Sequence, residues 1–268
     1  MGTTFSLNVA LIEQHLRSTE KSCRVAVFPS LASTNATAKQ MAAQGAQNGS
    51  VVIAERQSEG RGRLGRSFFS PDGTGVYMSV IVRGSLQVTD ATRLTTAAAV
   101  ATAQAIEVVS DRTAGIKWVN DIYLNGKKVC GILTEGGICS GKGQLDYAVI
   151  GIGINVAPPK GGFPDEIADI AAAIFADANA ANGMREDLIA EILNHLMPLL
   201  ENLTSPNILC EYRRRSTIVG QRVYVHRADS PARAALALEI DNDFRLLVRY
   251  EDGTTEALDS GEVSIRNI

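Results

Sequence analysis

Dense apolar runs alternate with longer helical patterns through most of the chain. The runs at 25–28, 51–54, 75–82 and 147–156 predict strands, the second and last of them buried. Gly151 and Gly153 inside the last run predict either a bulge or a close approach by a ligand or neighbour. Leu7, Ala10, Leu11 and Leu16 give a weak helical spacing over 7–16. An alanine-rich stretch at 36–46 predicts a second helix, with Ser33-Thr34-Asn35 at its N-cap and Gly45 as its stop. Residues 90–109 are apolar almost all round and predict a buried helix capped by Asp90. Asn125-Gly126 between 117–124 and 127–135 predicts a type I′ hairpin.

A Pro/Gly-rich break at 158–164 is followed by two further helical patterns. One, at 167–181, is alanine-rich. The other, at 186–203, sets Leu188, Ile189, Ile192, Leu193 and Leu196 on one face. The basic run Tyr212-Arg213-Arg214-Arg215 reads as a solvated face at a domain joint. Beyond it the period drops to two, in short segments at 221–225, 235–240, 246–250 and 254–258. That pattern predicts a small all-β barrel or sandwich. The chain therefore divides into a larger domain, 1–215, and a smaller one, 216–268.

Composition narrows the class. The 268 residues are 45% hydrophobic and 21% charged, as in an ordinary soluble protein. A formal net charge of −3 provides no overall field for nucleic acid. Cys23, Cys130, Cys139 and Cys210 form no CxxC pair, and with three histidines they give neither a zinc site nor a disulfide framework. Reduced thiols in a cytoplasmic setting are expected. No run approaches the roughly 20 apolar residues of a membrane span, and no signal peptide is visible. Met1-Gly2-Thr3-Thr4-Phe5-Ser6 fits the loose N-myristoylation pattern.

The chemistry centres on Gly60-Arg61-Gly62-Arg63-Leu64-Gly65-Arg66. Glycine allows close approach of backbone N–H groups, and arginine supplies planar, always-charged forks. The loop is thus suited to a small anion, a carboxylate or a phosphate. It also matches GxGxxG, but Ser67 to Gly73 reads as extended chain into a turn, and a dinucleotide fold needs a helix there. Residues 136–142 resemble a P-loop, yet Gly143 stands where the metal-binding hydroxyl belongs and a strand follows. That stretch is read as a hairpin loop.

Ser33, Thr34, Asn35 and Gln57 offer hydroxyls and amides; one of Ser33, Thr34 and Asn35 also serves as a helix cap. Arg61, Arg63, Arg66 and Lys128, with Lys117, offer cations. Asn120, Asp121 and Asn155 add amide and acidic groups. His15, His195 and His226 lie far from every motif, so no Ser/His/Asp set is suggested. The residues describe a site that binds and activates anions.

Together with Lys117-Trp118-x-Asn120-Asp121, Lys128-x-x-Gly131-Ile132, Gly151-x-Gly153-Ile154-Asn155 and Gly261-Glu262-Val263-Ser264-Ile265-Arg266, these motifs resemble the biotin protein ligases, in the family's order. The resemblance implies an α+β fold: a mixed, mainly antiparallel sheet flanked by helices, of the class II synthetase type, plus a small SH3-like β domain. It implies formation of biotinoyl-5′-AMP from biotin and ATP, with Mg²⁺ accompanying ATP. Biotin then passes to a lysine of a carboxylase's biotin carrier domain.

By position, Ser33, Thr34, Asn35 and Gln57 would hold the ureido ring. Gly60, Gly62, Gly131, Ile132 and Gly151 would complete the biotin pocket. Arg61 and Arg63 would border the carboxylate and α-phosphate, Arg66 would face phosphate, and Lys128 would contact the acyl-phosphate oxygens. Phe68, Lys117, Asn120, Gly153, Asn155 and Arg266 would lie on the adenylate side. Asp121 would stand near the incoming lysine, and no residue would ligate a metal. About 30 residues precede Ser33, too few for the helix-turn-helix domain of some relatives, so neither nucleic acid nor membrane is expected as a partner. A homodimer is allowed.

Val119 stands where many relatives have proline, a change expected to matter little. The insertion-like 158–185 segment hides the adenosine-closing loop. A lipoate–protein ligase or octanoyltransferase of the same fold is the alternative enzyme, and a non-catalytic biotin-binding module the alternative class.

Overall fold

A computed structural model describes residues 7–17, 23–138, 143–227, 230–259 and 262–264. Gly2, residues 139–142 of the P-loop-like stretch (Cys139 among them) and Arg266 lie outside these residues. Side-chain caps start the early helices. Asn8 accepts from the Ala10 N–H at the head of α1 (Val9–His15), and Ser33 accepts from Ala36 at the head of α2 (Thr34–Ala43). Between and after them run β1 (Arg24–Phe28), β2 (Ser50–Ala54), β3 (Gly75–Val82) and β4 (Leu86–Gln87). Next come α3 (Ala91–Ser110), β5 (Gly115–Lys117), β6 (Asp121–Leu124), β7 (Lys127–Ile138) and β8 (Gln144–Asn155). Asn125 and Gly126 both take positive φ, 50° and 77°, as the predicted hairpin turn requires.

These strands form one sheet in the order β1-β2-β3-β8-β7-β6-β5, with β4 beside β8. Only the β1–β2 pairing is parallel. The period of two decides which face each strand residue meets. On β3, Val76, Met78, Val80 and Val82 enter the main core. Ile81 turns to the opposite face, where it packs with Val52, Val149 and the small residues Ala38 and Ala42 of α2.

One sequence expectation holds in position only, and another fails. Asp90 holds the N-cap position of α3, but its carboxylate accepts from the Gln87 N–H at 2.8 Å and bonds none of the helix's own N–H groups. The alanine-rich 167–181 stretch is not a helix. Only α4 (Asp165–Ala168) forms, and the following backbone runs along the ends of β7 and β8. Lys128 N donates to Ile170 O, Ala172 N to Lys128 O, and Ile174 N to Asn155 O. Pairing with the sheet uses the groups a helix would need, so tertiary contact overrides alanine's propensity.

The amphipathic pattern near 186 does form α5 (Met184–Glu201), which buries Leu188, Ile189, Ile192, Leu193 and Leu196. Then follow α6 (Pro206–Arg214), β9 (Arg222–Arg227), β10 (Ser230–Ile240), β11 (Leu246–Tyr250), β12 (Thr255–Leu258) and β13 (Glu262–Ser264). The last five make a second sheet, β12-β11-β10-β9-β13, antiparallel throughout.

The basic run before it is not simply a solvated face. Tyr212 and Arg215 are buried. Arg215 pairs with Glu107 at 2.7 Å, and Arg213 Nε donates to Ile240 O of the second sheet at 2.7 Å.

Candidate active site

The face of the large sheet that carries α2 is only partly covered by that helix. Beyond its N-terminus, Gly131, Gly151 and Gly153 leave the sheet floor bare. In register, Gly131 lies opposite Gly153 and Leu133 opposite Gly151, while Ser79 faces Gly151 from the other side. The Phe68 ring fills part of the gap. A Cβ on Gly153 would come within 2.8 Å of it, and one on Gly131 within 3.4 Å. The cleft above this floor has a volume of about 160 Å³ and opens to solvent.

One end of the cleft is polar and neutral. The head of α2 brings Ser33, Thr34 and Asn35 there, all buried. Thr34 N donates to Gln57 Oε1 at 2.8 Å, and Thr34 Oγ1 lies 3.1 Å from the same oxygen. Gln57 Nε2 donates to Ser70 Oγ at 2.9 Å, and that hydroxyl donates to Phe68 O. Behind this end, outside the cleft wall, Glu135 takes bonds from Asn35 and Lys39. Burial opposes its ionisation, but those two bonds outweigh it and hold its carboxyl below the ordinary value.

The other end is cationic. Residues 60–68 fold back as a small loop: Phe68 N donates to Gly60 O at 2.8 Å and Gly62 N to Arg66 O at 2.7 Å. A Cβ on Gly60 would meet Phe68 O at 2.3 Å, so that turn requires glycine. Leu64, at φ 55°, stands at the tip, 73% exposed. Arg63 reaches inward from the loop and donates to Asn120 Oδ1 at 3.1 Å. Asn120 is itself fixed, its Nδ2 donating to Ile132 O at 2.8 Å. Burial pulls the Arg63 guanidinium down from its usual range, with Asp121 and then Tyr212 opposing; a guanidinium stays charged at neutral pH all the same. Lys128 pairs with Asp121 at 2.8 Å. Lys117 Nζ sits 5.6 Å from the centre of the Tyr123 ring, whose hydroxyl burial pushes up to about 12. The Trp118–Val119 peptide between them is cis.

Ser33, Thr34, Asn35, Gln57, Arg61, Gly62, Arg63, Arg66, Phe68, Lys117, Asn120, Asp121, Lys128, Gly131, Ile132, Gly151 and Gly153 all line this single cleft. Gly60 and Asn155 do not. Gly60 makes the loop turn, and Asn155 Nδ2 donates to Ala172 O at 3.1 Å, anchoring the segment beyond α4. Sequence reasoning missed Met78, Trp118, Leu133 and Ile152 in the wall. The strand period could have offered Leu133, two residues from Gly131 and so on the same face of the sheet. Among the described residues, no group of three or more His, Cys, Asp or Glu side chains could hold a metal.

Comparison with known proteins points one way. The Biotin/lipoate A/B protein ligase family matches residues 27–155. The chain is 39% identical over 171 residues to the bifunctional ligase/repressor BirA of Bacillus spizizenii, covering 64% of this chain but only 50% of that protein. It is 31% identical over 238 residues to a biotin–[acetyl-CoA-carboxylase] ligase of Mycobacterium tuberculosis, covering 86% of this chain and 85% of the relative. The fold matches that of the Aquifex aeolicus biotin protein ligase, solved with biotin and ATP, at a TM-score of 0.71 and 23% identity over 91% of this chain and 99% of that one. With the Gly-Arg loop, the hydroxyl-amide end and the Lys-Trp-x-Asn-Asp segment lining one cleft, the chain belongs to the biotin protein ligase family.

Proposed function

We propose that this protein activates biotin with ATP and transfers it to a lysine of a carboxylase's biotin carrier domain. The observation that carries this reading is one cleft with two chemically different ends: neutral hydroxyls and amides at one, arginines and a lysine at the other. A molecule with a polar, uncharged head and a carboxylate tail fits that order, with the glycine floor under its middle.

In the first step a carboxylate oxygen attacks the α-phosphorus of ATP and the bond to the β-phosphate breaks, releasing pyrophosphate. Arg61 and Arg63 hold the two anions together and offset the charge that develops between them. Lys128, kept in place by Asp121, lies beside the acyl-phosphate oxygens. Arg66 faces phosphate, and Lys117, Asn120, Gly153 and Phe68 border the nucleoside. In the second step an uncharged lysine amine attacks the acyl carbon, AMP leaves, and Asp121 sits near the amine's lost proton.

Magnesium fits as a companion of ATP. The cleft wall carries one carboxylate, that of Asp121, and it is already paired with Lys128. Phosphate oxygens and water would hold the ion, which would draw charge from the departing pyrophosphate. The catalytic part is assigned to residues 1–215 and the accessory part to 216–268.

The test is biotin-dependent exchange of pyrophosphate into ATP, run beside lipoate, octanoate and no acid. Exchange with biotin alone supports the reading. Exchange with lipoate moves the protein to the related ligases, and biotin binding without exchange makes it a binding module.

A further inference from the structure

Behind the neutral end of the cleft stands a second layer of side chains that the reaction above does not use. Asn35 Nδ2 carries two hydrogens, and both are spent: one on Leu133 O at 3.2 Å, one on Glu135 Oε2 at 2.8 Å. Glu135 is in turn held by Lys39 at 2.5 Å. This orients the amide, so Oδ1 faces inward. There it lies 2.6 Å from Ser79 Oγ, a fully buried hydroxyl on β3. Gly151 must be glycine for that seat to exist, because a Cβ there would fall 2.1 Å from Asn35 Oδ1.

Ser79 Oγ is also 2.8 Å from Thr34 Oγ1. A serine hydroxyl has one hydrogen, and an amide oxygen can only accept. The short Ser79–Asn35 contact therefore takes the Ser79 hydrogen, and the Thr34 hydrogen fills the Ser79–Thr34 contact. Gln57 Oε1 does not need it, since it already receives Thr34 N–H at 2.8 Å. Thr34 is left with oxygen lone pairs, and no hydrogen, on its remaining side.

We propose that Ser79, together with the Lys39–Glu135 pair behind Asn35, positions the Thr34 hydroxyl as a hydrogen-bond acceptor. This end of the cleft then selects acids whose far end bears ring N–H donors, a cyclic urea, over acids ending in an apolar ring or chain. The proposal rests on the biotin-activating reading and gives the source of its head-group selectivity. Ser79, Glu135 and Lys39 are positioning residues; they act through Thr34 and Asn35.

The test titrates biotin and, separately, lipoate into the wild-type protein, Ser79→Ala and Glu135→Ala by calorimetry, with KM for ATP measured in the exchange assay. The expected result is a biotin dissociation constant raised about tenfold in each variant, the scale of one buried hydrogen bond, with KM for ATP unchanged and lipoate binding no weaker. Wild-type affinity for biotin in a folded Ser79→Ala overturns the proposal and leaves the biotin reading intact. So does an equal loss for biotin and ATP, which marks a merely structural role. If Ser79→Ala fails to fold, the same criteria apply to Glu135→Ala, whose side chain is partly exposed. A wild-type protein that prefers lipoate overturns both readings.

Discussion

Arg63 combines two properties that rarely coincide on one side chain: it is largely withdrawn from water, and its fork is aimed by a fixed amide. Asn120 supplies the aim, with both of its polar ends engaged, one by Arg63 and one by Ile132 O. A cation placed in advance needs no reorganisation when charge develops. Arg63→Ala should therefore slow adenylate formation by about 100- to 1000-fold, about 2.7–4 kcal/mol. A single-turnover rate within a factor of three of wild type would remove Arg63 from the chemistry. Lys128→Ala removes a partly exposed cation, so it should cut turnover while leaving the melting temperature nearly unmoved. A large fall in melting temperature would make the Lys128–Asp121 pair structural. Glu135 adds a pH dependence. Its carboxyl is held below the ordinary 4.5 of glutamate by Lys39 and Asn35 against the opposing effect of burial. A depressed carboxyl contributes stability that is present above the unfolded value and is lost as pH falls through the folded one. Melting temperature should thus drop on acidification below about pH 4.5, and drop less steeply in Glu135→Gln. Parallel curves for the two proteins would contradict the assignment.

At the scale of elements, α2 serves the site twice, as a scaffold and through its head. Ser33 caps it by accepting from Ala36 N at 3.5 Å, a long bond. Ser33→Ala should cost about 1 kcal/mol, seen as a melting shift of about 2–4 °C for a chain of this size. No shift would mean the cap contributes nothing at that length. Where an element is defined by its own residues, the sequence was enough to find it. Continuous apolar runs exposed β3 and β8, Asn125-Gly126 exposed the β6–β7 hairpin, and the apolar face at 188–196 exposed α5. Local signals mislead where the deciding partner is distant. The alanines after 167 bond to the ends of β7 and β8, and Asp90 turns back to Gln87 rather than forward onto α3. The site divides in the same way. Charged and glycine positions announce their chemistry locally, so the Gly-Arg loop and Lys128 were legible. Ser79 was not, since one serine in an apolar strand gains meaning only when Asn35, 44 positions away, is brought onto it.

The whole molecule is organised by the joint between its two sheets, and the cleft borders that joint. Trp118 lines the cleft, yet its Nε1 donates to Phe244 O in the turn between β10 and β11 at 2.8 Å. Next to it, the buried Tyr212 hydroxyl donates to Val119 O at 3.0 Å, and the Tyr212 ring meets Phe244 edge-on at 5.7 Å. Burial pushes the Tyr212 hydroxyl's pKa upward, so it stays protonated and remains a donor. Arg213 adds the bond to Ile240 O. Buried polar contacts of this kind are costly to leave half-made, which ties the position of the cleft wall to the presence of the second sheet. The two sheets should then unfold as one unit. Trp118 is the chain's single tryptophan, so its fluorescence reports the joint alone, while far-ultraviolet circular dichroism reports every strand and helix. In urea the two signals should share one midpoint, the mark of a two-state transition. Trp118→Phe, which leaves the Phe244 carbonyl without its donor, should lower the dichroism midpoint by an amount equivalent to about 1–3 kcal/mol. Separate midpoints in the wild-type protein, with an unchanged midpoint in Trp118→Phe, would mean that the second sheet folds independently and that the cleft wall stands without it.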